Sequence, residues 1–480
     1  MAFTDRLHNR GSISSGYDVS NSILMSGDDN DRGSYAYASG GNRYKQTFSV
    51  WVKRVKPGAN EYLWESGNAD SLEGRVFLRF QSDNRLRVST GTSVLRQTLM
   101  EFNDTSAWYH IVVVIDNTQA TASNRVKIYV NGRDVSVDGW DASNDMNQNQ
   151  NTGCGVGNLY LNYSGMDNNG HANQYIAQFA TLNNQNLGPE YFAETNADGE
   201  WVPKDLTSLS WGNHDMWLEF DNSGSLGTDN SGQGHNMTIS AADSTNQSQD
   251  SPTNNFCTLN NNSRNNGNIH SEHGGTYVST DGGSGWCSMN ATMGVQNGKW
   301  YWETKRIDTY VMVGIAGWND PWIPHRNGGY YTGNVATSGS LGIYFLNGQI
   351  YNDANYPDVP GVATGETLGL ALDMNNGSPR LYLSKNGVFM TGTGSSQMDP
   401  VNGNYGINVP GAFGAIAGAT DIILPCVSVY QGNDAEFNFG GYTKTTISSG
   451  QSDANGYGNF EYAPPTGYYA LCSKNLGEFG

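Results

Sequence analysis

Of 480 residues, 61 are glycine, 15% are charged and 11% are aromatic, and the formal net charge is −19. Sparse charge with a heavy aromatic payload excludes charge-driven disorder, and an acidic balance without a Lys/Arg cluster excludes nucleic-acid and anionic-membrane partners. The length suits two or three domains.

The opening segment MAFTDRLHNRGSISSGYDVSNSILMSG has no apolar core of signal-peptide length, and no later run approaches a membrane span. Neither a secretion leader nor membrane insertion is therefore expected. From TFSVWVKRV onward the chain alternates at period two: Phe48, Val50 and Val52 share one face, and Ser49, Trp51 and Lys53 share the other. The alternation recurs in RVFLRF, WYHIVVVID, VKIYVNG, KWYWETKR, LYLSKNG and VSVYQG. No window carries a helical period, so an all-β chain is predicted. Asn131-Gly132, Asn347-Gly348 and Asn386-Gly387 sit between strand-like flanks and predict type I′ hairpins, because Asn and Gly tolerate positive φ. Short strands with frequent turns predict sandwiches.

The β pattern runs from Phe48 to Phe220 and resumes from Lys299 to Phe439. Between them lies DSPTNNFCTLNNNSRNNGN (Asp250 to Asn268), where Pro252, Phe256, Cys257 and Leu259 interrupt a polar run and need somewhere to pack. An ordered joint over 250–270 is expected, firm at Phe256 and Leu259 and looser in its Asn-rich second half. Cys154, Cys257, Cys287, Cys426 and Cys472 lack the CxxC spacing of a zinc site and are expected to be reduced and partly buried.

RYKQTFSVWVKR, AWYHIVVVIDNT and NRVKIYVNGRDV together resemble a LamG/concanavalin A-like lectin domain, over roughly residues 20 to 245. GKWYWETKRI, VGIAGW, GETLGLALDMNNGSPRLYLSKNGV and ILPCVSVYQGNDAEFNFG resemble a SPRY domain in four blocks in family order. Both resemblances imply a two-sheet β-sandwich. FTDRLHNRGSIS, the joint WLEFDNSGSLGTDNSGQGHNMT…DSPTNNFCTLN and the end PPTGYYALCSKNL resemble tail-fibre-like and other structural proteins of tailed bacteriophages, especially marine ones. The expected organisation is an attachment segment at 1–25, a LamG/concanavalin A-like sandwich at 26–249, the joint at 250–270, and a SPRY-like sandwich with a C-terminal extension at 271–480. Assembly in a host cytoplasm with release by lysis would reconcile a binding protein with reduced cysteines.

Concanavalin A-like folds also host glycosidases, which set carboxylates at alternate strand positions. Glu219 and Asp221 have that spacing, but the third acidic position of the E-x-D-x-x-E pattern is Gly224; Asp434 and Glu436 repeat the spacing. A solvent-facing strand edge is the plainer reading of both pairs, and no catalytic residue is assigned. His270 and His273 form a lone HxxH without a third ligand, read as loop histidines. Lectin-like sandwiches often hold hard cations, so calcium is weighed at Asp28, Asp29 and Asp31 and at Asp221 and Asp229, against solvated acidic turns. For ligand binding, GWNDPWIPHRNGGYYTG is the most suggestive loop, with Trp318, Trp322, Tyr330 and Tyr331 beside Asn319, Asp320, His325 and Arg326. Aromatic faces stack on sugars while amides and charges take the hydroxyls; packing onto the sandwich or a neighbouring subunit is the alternative.

The expected protein is a non-enzymatic virion component, a tail fibre or adhesin recognising a host-surface glycan or protein receptor. Its partners would be other tail or capsid proteins, and multicopy display would multiply weak contacts. No heptad run is present, so any homo-oligomer must form through sandwich faces. The rivals are a capsid decoration protein or head fibre, and a glycan-active enzyme.

Overall fold

The structure is a computed structural model that describes residues 16–38, 40–265, 267–281, 285–318, 332, 339–351, 358–375, 379–391, 396–409 and 422–480. Two compact units divide it at Thr253/Asn254, and nearly all regular structure is β-strand.

In the first unit, one antiparallel sheet orders its strands Arg133–Asp134, Val126–Val130, Trp108–Asp116, Lys45–Arg54, Gln174–Asn183, Ser22–Met25 and Gln247–Ser248, with Met216–Leu218 also on Gln174–Asn183. The second orders Trp140–Ser143, Val94–Glu101, Arg85–Thr90, Arg75–Phe80, Glu61–Gly67, Asn158–Leu161, Arg32–Ala36 and Thr238–Ser240. Their facing sides build a core that includes Phe48, Val50, Val52, Trp64, Leu78 and Val113, where Phe48 stacks on Trp64 at 3.7 Å. Period-two alternation drives this: each strand buries its apolar side between the sheets.

The opposite side of Lys45–Arg54 is buried too. Trp51 packs with Val19, Ala177 and Ala193 and stacks on His110 at 4.7 Å. Lys53 is paired at 2.7 Å with Asp250. Ser49 and Lys53 are stable there because each meets a partner, His110 and Asp250 respectively.

The second unit pairs a six-stranded sheet (Leu259–Arg264, Trp286–Ala291, Ile423–Tyr430, Val311–Gly317, Ser340–Tyr344, Ile350–Tyr351) with a larger one. The larger sheet runs Ile269–Glu272, Tyr277–Thr280, Ala435–Asn438, Lys299–Arg306, Thr367–Asp373, Arg380–Lys385 and Val388–Phe389. Trp300, Trp302, Val313, Leu370, Val427 and Phe437 are among the residues of its core.

Several expected boundaries move. Residues 250–270 are not a separate joint: Asp250 is bonded into the first unit, whereas Phe256 bridges to Cys472 and Leu259–Arg264 is a strand of the second. Within the Asn-rich half, buried Asn261 exchanges bonds with the Ser271 backbone at 2.8 and 2.9 Å. The 1–25 attachment segment gives up Ser22–Met25, which pairs with Gln174–Asn183 inside the first sandwich; residues 1–15 lie outside the described residues. A short helix, Ser473–Phe479, escaped the sequence reading; at seven residues it is too short to show a period. All five cysteines are free and buried.

Asn131-Gly132 (φ 47° and 79°) and Asn386-Gly387 (50° and 77°) make the expected hairpin turns. At Asn347-Gly348 the turn is wider, closing through the Gly348 amide on the Tyr344 carbonyl at 2.8 Å.

Candidate functional site

The outer side of the second sheet of the first unit carries a groove of about 230 Å³. The strands Arg75–Phe80 and Arg85–Thr90 send Val76, Leu78, Phe80, Leu86 and Val88 into the core, which leaves Arg75, Phe77, Arg79, Arg87 and Ser89 on the other side. A tight turn fixes their register: the Gln81 amide bonds the Arg85 carbonyl at 2.8 Å, and Asn84 takes φ 63°. Tyr62, Arg79, Arg87 and Gln97 are consequently cross-strand partners in one row, and Glu65, Phe77 and Ser89 in the next.

Charge is unevenly balanced along this face. Arg75 meets Glu65, Asp70 and Asp167 at 2.9, 3.0 and 3.1 Å. Arg85 meets Asp141 at 2.7 Å, and Asp141 also accepts from Gln97 at 2.7 Å. Arg79 rests over the rings of Tyr62 and Phe77 at 5.3 and 5.4 Å and donates to the Tyr62 hydroxyl at 3.1 Å. The Tyr62 hydroxyl in turn donates to Asp167. Arg87 donates through Nε to Gln97 Oε1 at 2.6 Å. Burial and the neighbouring Arg79 together lower the pKa of Arg87. One wall is the 90–94 turn, where the Thr90 amide bonds the Ser93 carbonyl at 2.9 Å. At its tip, a Cβ on Gly91 would lie 2.4 Å from the Ser71 nitrogen, so glycine permits that close backbone approach.

None of these residues was singled out as a site from the sequence. The signal was present in R-V-F-L-R-F followed by R-L-R-V-S, where the polar side of two adjacent strands is built from arginines.

The carboxylates considered for catalysis have protein partners. Glu219 accepts from the Tyr17 hydroxyl and, at 2.9 Å, from Asn230. Burial raises its pKa. The strand ends at Leu218 and Phe220 takes φ 58°, so strand alternation does not put Glu219 and Asp221 on one face. Asp434 accepts from the Tyr277 hydroxyl at 2.8 Å, and Glu436 accepts from the Thr445 amide and hydroxyl at 2.7 and 2.6 Å. His270 contacts Asp281 at 2.6 Å and His273 contacts Lys444 at 2.8 Å; His270 lies on a strand rather than a loop.

The calcium candidates separate on the same criterion. Asp229 does not fit: its two oxygens already accept from the amides of Trp217, Ser231 and His235 and from the Ser231 hydroxyl, at 2.8 to 3.0 Å. Asp221 is exposed. Asp31, 1% exposed, does fit: Oδ2 accepts from the Ser26 amide and Asn246 at 2.9 and 2.8 Å, while Oδ1 is buried with no hydrogen-bond partner. Burial pushes its pKa up to about 6, and the charges of Asp29 and Asp243 add to the rise. A hard cation satisfies such an orphaned oxygen. Asp28 and Asp29 are exposed on the same turn.

Of the eight candidate residues in the aromatic loop, only Trp318 is described: it is 42% exposed and its amide bonds the Ile422 carbonyl at 2.9 Å. Asn319, Asp320, Trp322, His325, Arg326, Tyr330 and Tyr331 lie outside the described residues. Elsewhere in the second unit, a small pocket of about 30 Å³ is lined by Glu303, Lys305, Glu436 and Glu461, among others. Glu303 is held there by the amides of Glu461 and Tyr462 (both 2.8 Å), Asn438 (3.0 Å) and the Tyr301 hydroxyl (3.0 Å). Burial nonetheless pushes its pKa up to about 7.

Residues 19–201 match the family model of the concanavalin A-like lectin/glucanases superfamily, in keeping with the two-sheet sandwich of the first unit. No curated protein matches the chain. Among solved structures it is similar to the SPRY domain of human HERC1 (18% identity, 37% of this chain and 96% of that one, TM-score 0.26). It is also similar to a heptameric SAP-like pentraxin from Limulus polyphemus (13% identity, 40% and 100%, TM-score 0.29). A third is a Bacteroides ovatus protein described as carbohydrate-binding (14% identity, 46% and 57%, TM-score 0.30).

Proposed function

We propose that this protein is a non-enzymatic glycan-binding adhesin of a bacteriophage particle, and that the groove on the outer sheet face of its first unit is a glycan site. One observation carries the glycan reading: a sheet face of a concanavalin A-like domain carries an open groove of about 230 Å³ lined by Arg79, Arg87, Ser89 and Thr90. Polar hydrogen-bonding groups converging on an open cleft are what a sugar requires. The family description names lectins, which supports the same reading.

The non-enzymatic part is supported by the candidate carboxylates, which are engaged by tyrosine, asparagine and threonine rather than poised as an acid and base pair. Placement on a virion is supported by the resemblance of the N-terminal, central and C-terminal segments to structural proteins of tailed phages. Display in many copies would then convert weak sites into firm attachment. Calcium, if bound, is held by Asp31 with Asp29 and orders the 27–31 turn.

Binding of the purified full chain to a glycan array tests the glycan reading. Retention of defined glycans, lost on Arg79→Gln, is expected; retention that Arg79→Gln leaves intact would remove the groove from the reading. Release of sugar from any retained glycan, abolished by Glu219→Gln or Glu436→Gln, would make the protein an enzyme. Antibody labelling of particles tests the virion reading: tail signal supports an adhesin, head signal favours decoration, and absence of signal on particles overturns it.

A further inference from the structure

We infer that the groove is selective for an anionic carbohydrate, whose carboxylate or sulfate sits between Arg79 and Arg87 with the Ser89 hydroxyl as a further donor. This rests on the glycan reading above and names the class of sugar.

The first observation is register. Arg79 and Arg87 are direct cross-strand partners, and like charges placed opposite one another destabilise a sheet. The sheet carries that repulsion at its middle, on two adjacent strands well inside the eight-stranded order. The second is the distribution of counter-charge. Arg75 has three carboxylates and Arg85 has Asp141 and, at 3.8 Å, Asp83. Among the described residues, Arg79 and Arg87 have no carboxylate within ion-pairing distance. Carboxylates act on these two only at longer range, Asp167 on Arg79 and Asp83 and Asp141 on Arg87, so neither is directly paired in a chain whose net charge is −19.

The third is a set of donors without acceptors. Arg79 Nε is buried with no hydrogen-bond partner, and so is Ser89 Oγ, on a side chain only 4% exposed. A guanidinium carries five N–H donors in a planar fork. Arg79 uses one on Tyr62 and Arg87 one on Gln97. The rings of Tyr62 and Phe77 and the Gln97 amide fix the two guanidinium groups before any ligand arrives, which reduces the ordering cost of binding. Guanidinium forks match carboxylate and sulfate oxygens geometrically, whereas a neutral hydroxyl would leave the paired charge uncompensated.

Isothermal titration of the full chain with three probes tests this: oligogalacturonate (carboxylate), oligo-carrageenan (sulfate) and maltohexaose (neutral). At least one acidic probe should bind tenfold or more tightly than maltohexaose, and the better one identifies the anion. Arg79→Gln and Arg87→Gln should each weaken it tenfold or more, while Arg133→Gln, an exposed residue paired with Asp138, should not. The melting temperature of Arg87→Gln should not fall below that of the parent, because the substitution removes repulsion; a purely structural arginine would lower it. Preferential acidic binding indifferent to both substitutions would overturn the site. Equal binding of maltohexaose, weakened by Arg87→Gln, would overturn the anion selectivity and leave the glycan reading standing. Failure of every probe, on the array as well, would defeat both.

Discussion

Asp250 is the first residue of the stretch expected to be a joint, yet it acts as a core residue of the first unit. Its Oδ2 lies 2.7 Å from Lys53 Nζ, its Oδ1 accepts from Trp108 Nε1 at 3.0 Å, and its carbonyl accepts from Ser22 Oγ at 2.5 Å. Both charged side chains are 1% exposed. Removing one partner of a buried ion pair strands the other charge and costs about 3–5 kcal/mol. Asp250→Ala should therefore destabilise the first unit by that amount. For a unit of this size, at roughly 2–4 °C per kcal/mol, the transition should fall by about 10 °C. Replacing both partners, Lys53→Met with Asp250→Leu, removes the stranded charge and should recover most of the loss, because a packed apolar pair is often as stable as a buried ionic one. Calorimetry of the full chain measures all three. A loss under about 1 kcal/mol for Asp250→Ala, or no recovery in the double variant, would show that the pair is not the buried core contact described.

The second unit has a matching marker. Both oxygens of Glu303 accept two donors each, and an amide nitrogen accepts none, so Glu303→Gln should cost about 2–4 kcal/mol and move a different calorimetric transition from Asp250→Ala. His110 gives a pH dependence: Trp201 Nε1 donates to its Nδ1 at 3.0 Å, Ser49 Oγ meets its Nε2 at 2.9 Å, and burial lowers its pKa to about 3. The folded state keeps this ring neutral while the unfolded chain takes up a proton. The contribution is therefore whole above pH 6.5 and is lost at up to about 1.4 kcal/mol per pH unit as the pH falls from 6.5 toward 3. Melting from pH 7 to 4.5 should show a shallower decline in His110→Gln than in the parent. Gly132 has φ 79°, and a Cβ there would lie 2.9 Å from the Trp201 ring. Gly132→Ala should lower the first transition by about 1–3 kcal/mol. Millimolar calcium should raise that transition, reversibly with a chelator, and Asp31→Asn should abolish the increment; no shift in the parent would remove calcium from Asp31.

Period-two alternation carried most of the architecture, because a strand's side chains are assigned to faces by parity alone. It does not tell whether both faces are covered: Trp51 and Lys53 lie on the side opposite Phe48, Val50 and Val52, and only the tertiary positions of His110 and Asp250 explain why they are buried. Parity likewise could not tell where one unit stops, since Phe256 and Leu259 needed only some core, and the choice was made by Cys472 and the strand Trp286–Ala291 far along the chain. The groove was missed for a related reason. Alternation identifies the polar sides of RVFLRF and RLRVS, but which arginine faces which depends on the length of the turn between them; one more residue at Ser82–Asn84 would set Arg79 beside a different partner and dissolve the pair. Arginine on a solvent-facing strand is ordinary. Two arginines in register, at the middle of a sheet and without a directly paired carboxylate, are a departure from the rule that local choices support the fold, and such departures concentrate where a protein meets its ligand.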